Sequence, residues 1–380
     1  MGKTMGVFLC VLSEVEGSLD IFLLQCHAGL VPASAYTFSI YYFIYMKPRI
    51  PWIDNGKAIA ISLVALGHMQ SIYLVNEIIF SFVMPAFFFL SGYMFVRSAE
   101  RPFTELVRKK FRSLIVPYFG FSAILFLFWF LVRRNFGLSY QTDATVLDVV
   151  IQILCGTNST FFVTPLWFLT CLFMVELCFW GLLRLRKKML MIVLIAVLYV
   201  PGLIYVTYMD LFQLPHLFWN IDQIPFCLYF FALGYVISKR DVVDKLFCLL
   251  KQNMGIFIAS VLVFVLAFVV RENTMSIILF LFMQTVMIHI GLLAFVVLSK
   301  SLKENAVLNF VGQNTITILA LHMMVQSILR GVFFKVLHVT PDWIESSLVL
   351  SVLLTLVTLA ALVPVIRLIN RFVPWIAGKK

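Results

Sequence analysis

Ten apolar blocks recur along the chain, at roughly 58–76, 78–96, 113–132, 165–183, 189–207, 224–238, 254–270, 277–299, 314–335 and 347–366. Each approaches the ~20 residues a helix needs to cross ~30 Å of hydrocarbon, although 224–238 is short. The pattern predicts an all-α polytopic membrane protein, a bundle of about ten transmembrane helices. Only Asn76 and Glu77 separate the first two blocks, which predicts a tight helical hairpin. The longest loop, Arg133 to Thr164, carries "SYQTDAT" and "GTNST" and is too short for a second catalytic domain. No internal repeat and no low-complexity tract interrupts the series.

Residues 1–45 depart from this pattern. "MGVFLCVL" is cut short by Glu14, Glu16 and Asp20, and "YTFSIYYFIYM" is aromatic but too short to span comfortably. The order of regions that a signal peptide needs is missing. Because "MKPRIPWIDNGK" reads as a complete basic lead-in, the expectation is an extension upstream of a natural start at Met46, followed by one transmembrane domain over 46–380. An extra interfacial or spanning helix is the alternative.

Composition agrees with the blocks. Hydrophobic residues make up 62% of the chain and charged ones 12%, against about 25% charged in a soluble domain. The net charge of +11 would suit nucleic acid, but its placement gives another reading. If residues 46–57 are cytoplasmic, 23 of the 29 lysines and arginines fall on the inner side. The positive-inside rule then predicts both bundle ends in the cytoplasm of a multi-pass cell (inner or plasma) membrane protein. The basic excess is a topology signal, and no nucleic-acid partner is expected. The seven cysteines sit mostly inside spans or at inner positions, with only Cys155 in an outer loop. They imply no disulfide framework, and none has metal-ligand spacing, so no metal is expected.

Against this background, "GKAIAISLVALGHMQ" (56–70) stands out because it carries Lys57 and His68. An ionisable side chain at membrane depth is costly and marks function by default. Eleven residues of helix, at about 100° and 1.5 Å each, set Lys57 and His68 on one face about 16 Å apart. Asp54 can pair with Lys57, and Ser71 follows His68 by three, so one face reads Asp, Lys, His, Ser from the inner rim. A histidine that merely ties a carbonyl is the alternative. The polar stripe favours a cleft with His68 as base, nucleophile or proton carrier. In "SFVMPAFFFLSGYMF", Pro85 predicts a kinked or unwound helix. Ser91-Gly92 there offers either a hydroxyl donor or ordinary small-residue packing. In "NTITILALHMM", Asn314 lies at the inner end and His322 about 12 Å deeper, which predicts a polar site between spans one and nine. His289, in "VMIHIGL", shows no polar neighbour on its face and reads as structural, and His216 and His338 read as solvated. The loop "RSAERPFTELVRKKFR" predicts a basic surface helix facing lipid headgroups or an anionic ligand.

Taken in order, "IDNGKAIAISLVALGH", "FSFVMPAFFFLSGY", "RKKFRSLIVPYF", "PLWFL", "IPFCLYFFALGY" and "NTITILALH" resemble the acyltransferase-3 superfamily of membrane O-acyltransferases. The branch most resembled is that of the fucose 4-O-acetylase-like acetyltransferases, over nearly everything from Lys47 onward. The most specific element is a basic residue, ten residues, then histidine, met here by Lys57 and His68. Two positions depart from the branch: Val83 stands where a histidine is common, and span nine reads Asn-Thr-Ile-Thr where Asn-Ser-Leu followed by Tyr is more usual.

The resemblance implies transfer of an acetyl or similar group from cytoplasmic acyl-CoA to a hydroxyl of a cell-envelope saccharide, often polyprenyl-linked. Acetyl-CoA or another acyl-CoA is then a cosubstrate, with no tightly bound cofactor and with membrane lipid as surroundings. His68 serves as base or acyl carrier, with Lys57, Asp54 and His322 as further catalytic candidates. Lys57 at the inner rim meets CoA phosphates or tunes the entrance. Arg108, Lys109 and Arg112 are second candidates for phosphate, and Ser91, Asn314 and Trp167 of "PLWFL" complete the substrate-binding set. Two other readings stay open: a transporter or flippase of a lipid-linked sugar or small anion, and an inactive paralogue acting as an assembly partner, which Val83 allows.

Overall fold

The computed structural model describes residues 50–133, 145–157, 164–185, 187–208, 216–239, 242–252, 254–338 and 340–379. The expected N-terminal extension, the start at Met46 and most of the long polar loop lie outside them. Among the described residues every regular element is a helix. The principal ones are α1 (Pro51–Met69), α2 (Tyr73–Met94), α3 (Phe103–Val132), α4 (Val146–Cys155), α5 (Trp167–Leu182) and α6 (Lys188–Tyr208). They continue with α7 (Ile224–Ser238), α8 (Val242–Gln252), α9 (Met254–Asn273), α10 (Ile277–Ser301), α11 (Ala306–Gln313), α12 (Thr315–Leu337) and α13 (Leu348–Phe372).

Among the described residues seven helices are long and apolar enough to cross a membrane: α2, α3, α6, α7 with its lead-in from Phe218, α10, α12 and α13. Of the other three expected spans, α1 carries Asp54, Lys57 and His68 in 19 residues. α5 has 16 residues, and α9 is helical over Met254–Asn273. The chain is an all-α polytopic membrane protein.

Local chemistry moves several of the expected boundaries. α1 begins at Pro51, earlier than apolarity alone suggests, because proline suits the first helical turn and Asp54 complements the helix dipole there. The hairpin turn lies at residues 70–72 and not at Asn76–Glu77. Gln70 builds it: its side-chain oxygen accepts from the Ile72 N–H at 2.5 Å, and its amide donates to Asn76 Oδ1 at 2.6 Å. The apolar run Ile72–Val75 masked this turn in the hydropathy pattern. Ser71 is therefore off the helix and exposed, its N–H donating to the Glu345 carbonyl at 3.0 Å, and the polar stripe of α1 ends at His68.

α2 runs through Pro85 without unwinding. The proline still lacks an N–H, so the Ser81 carbonyl one turn earlier has no helical donor. The basic segment expected to lie on the surface as a separate helix is the first part of α3. It passes through a π-helical turn at Phe111–Ile115 into the apolar span.

α2 and α7 make the closest crossing. A methyl on Gly92 would overlap the Phe231 carbonyl, and one on Gly234 would overlap the Phe89 carbonyl. Each glycine thus receives the other helix's backbone, as small residues do in membrane bundles. Around this seam the rings of Phe88, Phe89, Phe95, Phe179, Phe230 and Phe231 are all fully buried.

The bundle has two chemically distinct ends. At the first, the Asn55 amide bonds the Ser299 and Leu302 carbonyls at 3.2 and 3.0 Å, and Lys110 pairs with buried Glu176 at 2.5 Å. Lys300 also pairs with Asp244 at this end. At the second end, which holds the α1–α2 and α9–α10 turns, Arg271 and Arg330 are both committed to carboxylates.

Candidate active site

The second end holds the two histidines singled out by sequence. His68 occupies the last turn of α1, and His322 lies in the first half of α12, fully buried. Their ring centroids are 5.3 Å apart at an interplanar angle of 38°. The expected polar site between the first and ninth spans is therefore present as a histidine pair.

The tautomer of His322 follows from its neighbour. Its Nδ1 lies 2.9 Å from the Ile318 carbonyl, which can only accept, so Nδ1 carries the proton and Nε2 of the neutral ring presents a lone pair. That Nε2 is buried with no hydrogen-bond partner among the described residues. Leaving such an atom unsatisfied costs about 1–3 kcal/mol, a deficit that a bound hydroxyl would remove. The ring of His68 likewise makes no hydrogen bond among the described residues. It rests against the Phe80 ring, with centroids 5.6 Å apart.

α12 locks this arrangement with two residues the sequence reading missed. The Gln326 amide donates to the Ala65 carbonyl at 2.7 Å. The Arg330 guanidinium donates to the His68 and Met69 carbonyls at 2.7 and 3.2 Å and pairs with Glu345 at 3.3 Å. His322, Gln326 and Arg330 recur every four residues, one stripe of α12 facing α1. That spacing was readable within the ninth apolar block.

A cavity of about 370 Å³ opens beside the pair at the same end. Phe80 joins the two, because its ring both touches His68 and lines the cavity. Trp167, a sequence candidate, is another wall, as are Ser81 and Pro85. The polar lining centres on Arg271, which donates to Glu77 at 2.6 Å, Glu272 at 2.5 Å and Gln284 at 2.6 Å. The Tyr73 hydroxyl donates to Glu272 at 2.8 Å. The hydropathy pattern hid this group, since it placed Glu77 in a linker and Arg271 at a span's edge.

The other candidates lie elsewhere. Lys57 faces Asp54 at 3.8 Å near the first end, eleven residues or about 16 Å of helix from His68. Ser91 is on α2 at the same level, beside Leu90, which packs on Gly56. Asn314 precedes α12, and its Oδ1 accepts from Asn370 at 2.9 Å and Lys379 at 2.6 Å. Arg108 and Arg112 line an exposed groove on α3 with Phe103, Thr104, Val107 and Phe111. Lys109 is exposed on the same helix. The structure thus groups Asp54, Lys57 and Ser91 at one level and His68, His322 and Trp167 at another. Val83, where the resembled branch commonly carries histidine, is fully buried in the apolar core.

His289 corrects the sequence reading in part, because it does have polar neighbours. Its Nδ1 bonds the Thr285 carbonyl at 2.8 Å and its Nε2 the Tyr229 hydroxyl at 2.9 Å. Thr285 lies four residues earlier on the same helix face. Among the described residues, no three His, Cys, Asp or Glu side chains cluster as metal ligands would.

A paired, incompletely satisfied histidine site in a helical membrane bundle is a setting for proton transfer. The model of the acyltransferase domain of the acyltransferase-3 family matches residues 50–367, most of the chain. The chain belongs to that family. As a family member it is a multi-pass membrane acyltransferase, and the matched segment contains both histidines, the Arg271 cavity and the Lys57–Asp54 pair. No curated protein and no solved structure matches the chain.

Proposed function

We infer that the protein is an O-acyltransferase, carrying an acyl group, most simply acetyl, from cytoplasmic acyl-CoA to a hydroxyl of a cell-envelope saccharide. The observation that carries this reading is the unpartnered Nε2 of His322 facing the ring of His68. Such a pair can take a proton from a hydroxyl without first breaking a hydrogen bond of its own. In the reaction, a histidine Nε2 accepts the acceptor's hydroxyl proton and the oxygen attacks the thioester carbonyl. A C–O bond forms, the C–S bond breaks, and the departing thiolate recovers the proton from the imidazolium. A positioned base of this kind supplies about 10²–10⁴-fold. Alternatively, His68 carries the acyl group between two such steps.

The spacing supports a CoA donor. In this reading the first end of the bundle is cytoplasmic, with ten spans across the cell membrane and both chain termini of the bundle on the cytoplasmic side. Lys57 meets the donor near the rim, with the exposed Arg108, Lys109 and Arg112 as a further phosphate contact. The thioester must then reach about 16 Å inward to His68. A long pantetheine arm meets that demand and a compact acyl phosphate does not. Acetyl as the group, and a saccharide as the acceptor, rest on the resemblance to the fucose 4-O-acetylase-like branch.

The test is acetyl-CoA consumption by the purified protein in lipid nanodiscs, wild type against His68→Ala. Thioester loss or enzyme acylation that disappears in the variant is the expected result. A folded wild type that neither binds nor consumes acetyl-CoA or longer acyl-CoA would move the assignment to transport or to an inactive partner.

A further inference from the structure

The cavity beside Phe80 is built for a particular kind of occupant. Its charged lining is two carboxylates, Glu77 and Glu272, against one guanidinium, Arg271. Arg271 is spent on holding the carboxylates in place, since Glu77 receives an N–H from Nη2 and Glu272 receives one from Nη2 and one from Nε. The formal balance is therefore one negative charge, carried by carboxylates that stay partly exposed at the cavity mouth. Around it stand acceptors and amides: Gln223, Gln284 and the Ser81 carbonyl that Pro85 leaves without a helical donor. Aromatic walls come from Phe80, Trp167, Phe226 and Phe280, with Leu203, Val206 and Ile288 among the aliphatic ones. Its volume falls within the ~300–1,000 Å³ of small-molecule sites.

Each feature narrows the chemistry. Carboxylates and carbonyls at fixed positions take hydrogen bonds from hydroxyl groups. Aromatic faces take the C–H faces of a sugar ring. A net negative charge within a few ångströms repels another anion, whether a uronate, a sialate-type carboxylate or a phosphate. We propose that this cavity is the acceptor subsite, that it holds a neutral polyhydroxylated sugar residue, and that Glu77 sets its discrimination against anionic sugars. The proposal deepens the acyltransferase reading and rests on it for the word acceptor. Phe80 is the partition between this subsite and the histidine pair, so the hydroxyl to be acylated sits on the Phe80 side of the ring. Any phosphate of a lipid carrier lies outside the cavity, away from Glu77.

The test uses the full chain in nanodiscs and a matched pair of probes, octyl β-D-glucopyranoside and octyl β-D-glucuronide, each below its micellar concentration. Binding is read by equilibrium dialysis with labelled probe, and acetyl-CoA consumption is measured in the same preparation. Wild type is expected to bind the neutral glycoside more tightly, by on the order of tenfold, because the probes differ by one like charge. Glu77→Gln should bring that ratio close to one. Trp167→Leu, outside the ion group, should weaken both probes by a similar factor and leave the ratio intact. If Glu77→Gln does not fold, Glu272→Gln takes its place with the same expected collapse of the ratio.

Equal binding of the two probes, no binding of either, or a ratio unmoved by the carboxylate variants overturns the subsite. These failures are separable from failure of the enzyme reading. Acetyl-CoA consumption without charge-selective glycoside binding sinks the subsite alone. Charge-selective binding without any acyl-CoA turnover leaves a sugar site in a protein that is not an acyltransferase in action.

Discussion

Two histidines at membrane depth, His289 on α10 and His322 on α12, begin from the same local geometry and end in opposite states. Each ties its Nδ1 to the carbonyl four residues earlier, at 2.8 and 2.9 Å. At His289 the other nitrogen is closed by the Tyr229 hydroxyl at 2.9 Å. The Tyr199 hydroxyl bonds Thr285 at 3.2 Å, and its ring lies 4.4 Å from that of Tyr229. At His322 the other nitrogen has no partner and faces His68. The first histidine is finished as a helix fastener, and the second is left with a lone pair to use. The difference teaches that the second ring nitrogen, and not the presence of histidine at membrane depth, distinguishes structural from chemical sites.

The contrast can be broken most severely at the reactive pair. His68→Ala and His322→Ala should each lower acyl transfer by about 10²–10⁴-fold, read as thioester loss per folded molecule, with little change in melting temperature. Retained turnover in both would erase the distinction between the two sites. A smaller effect is expected from Gln326→Leu, which removes the bond to the Ala65 carbonyl and lets α1 shift against α12. As a positioning residue it should lower kcat by about tenfold and leave KM for the donor unchanged. A purely structural role would instead lower melting temperature without changing kcat.

Lys57→Ala should raise KM for acyl-CoA several-fold, on the order of one lost charge contact, with kcat nearly constant. An unchanged donor affinity would detach Lys57 from the entrance. His289→Phe completes the comparison from the other side. It should cost about 1–2 kcal/mol of stability through the stranded Tyr229 hydroxyl, seen as a lower unfolding temperature in detergent, while turnover stays within a factor of about two. A collapse of turnover there would show that the satisfied histidine also works.

Much of this was legible because membrane helices announce themselves by length and apolarity, and because Lys57 and His68 are polar interruptions of an otherwise apolar helix. The pairing of His68 with His322 was also readable, since both are polar points in apolar spans. What escaped was polar chemistry at span edges, where hydropathy averages it away. Gln70 ends α1 through side-chain bonds to Ile72 and Asn76 that no window average reports. Glu77, Arg271 and Glu272 come from separate turns and meet only in space. The same averaging concealed Thr285, one turn before His289, and the stripe from His322 through Gln326 to Arg330. Asn314 looked like a donor for chemistry, yet its oxygen is occupied by Asn370 and Lys379, which lie more than 50 residues away in sequence.

The glycine seam between α2 and α7 has a kinematic consequence. With Gly92 against the Phe231 carbonyl and Gly234 against the Phe89 carbonyl, neither helix can slide or roll past the other without a backbone collision. α2 carries Phe80, Ser81 and Pro85 along one side of the cavity, and α7 supplies Phe226 and Cys227. That corner of the cavity therefore moves as one rigid piece. If donor and acceptor arrive from opposite faces of the membrane, their meeting must be timed by what lies outside the seam. The Phe80 side chain can rotate on its fixed helix, whereas Gln326 and Arg330 hold α12 against α1. The protein is built as two braced pairs of helices, and the Phe80 ring stands between the cavity of one and the histidine pair of the other.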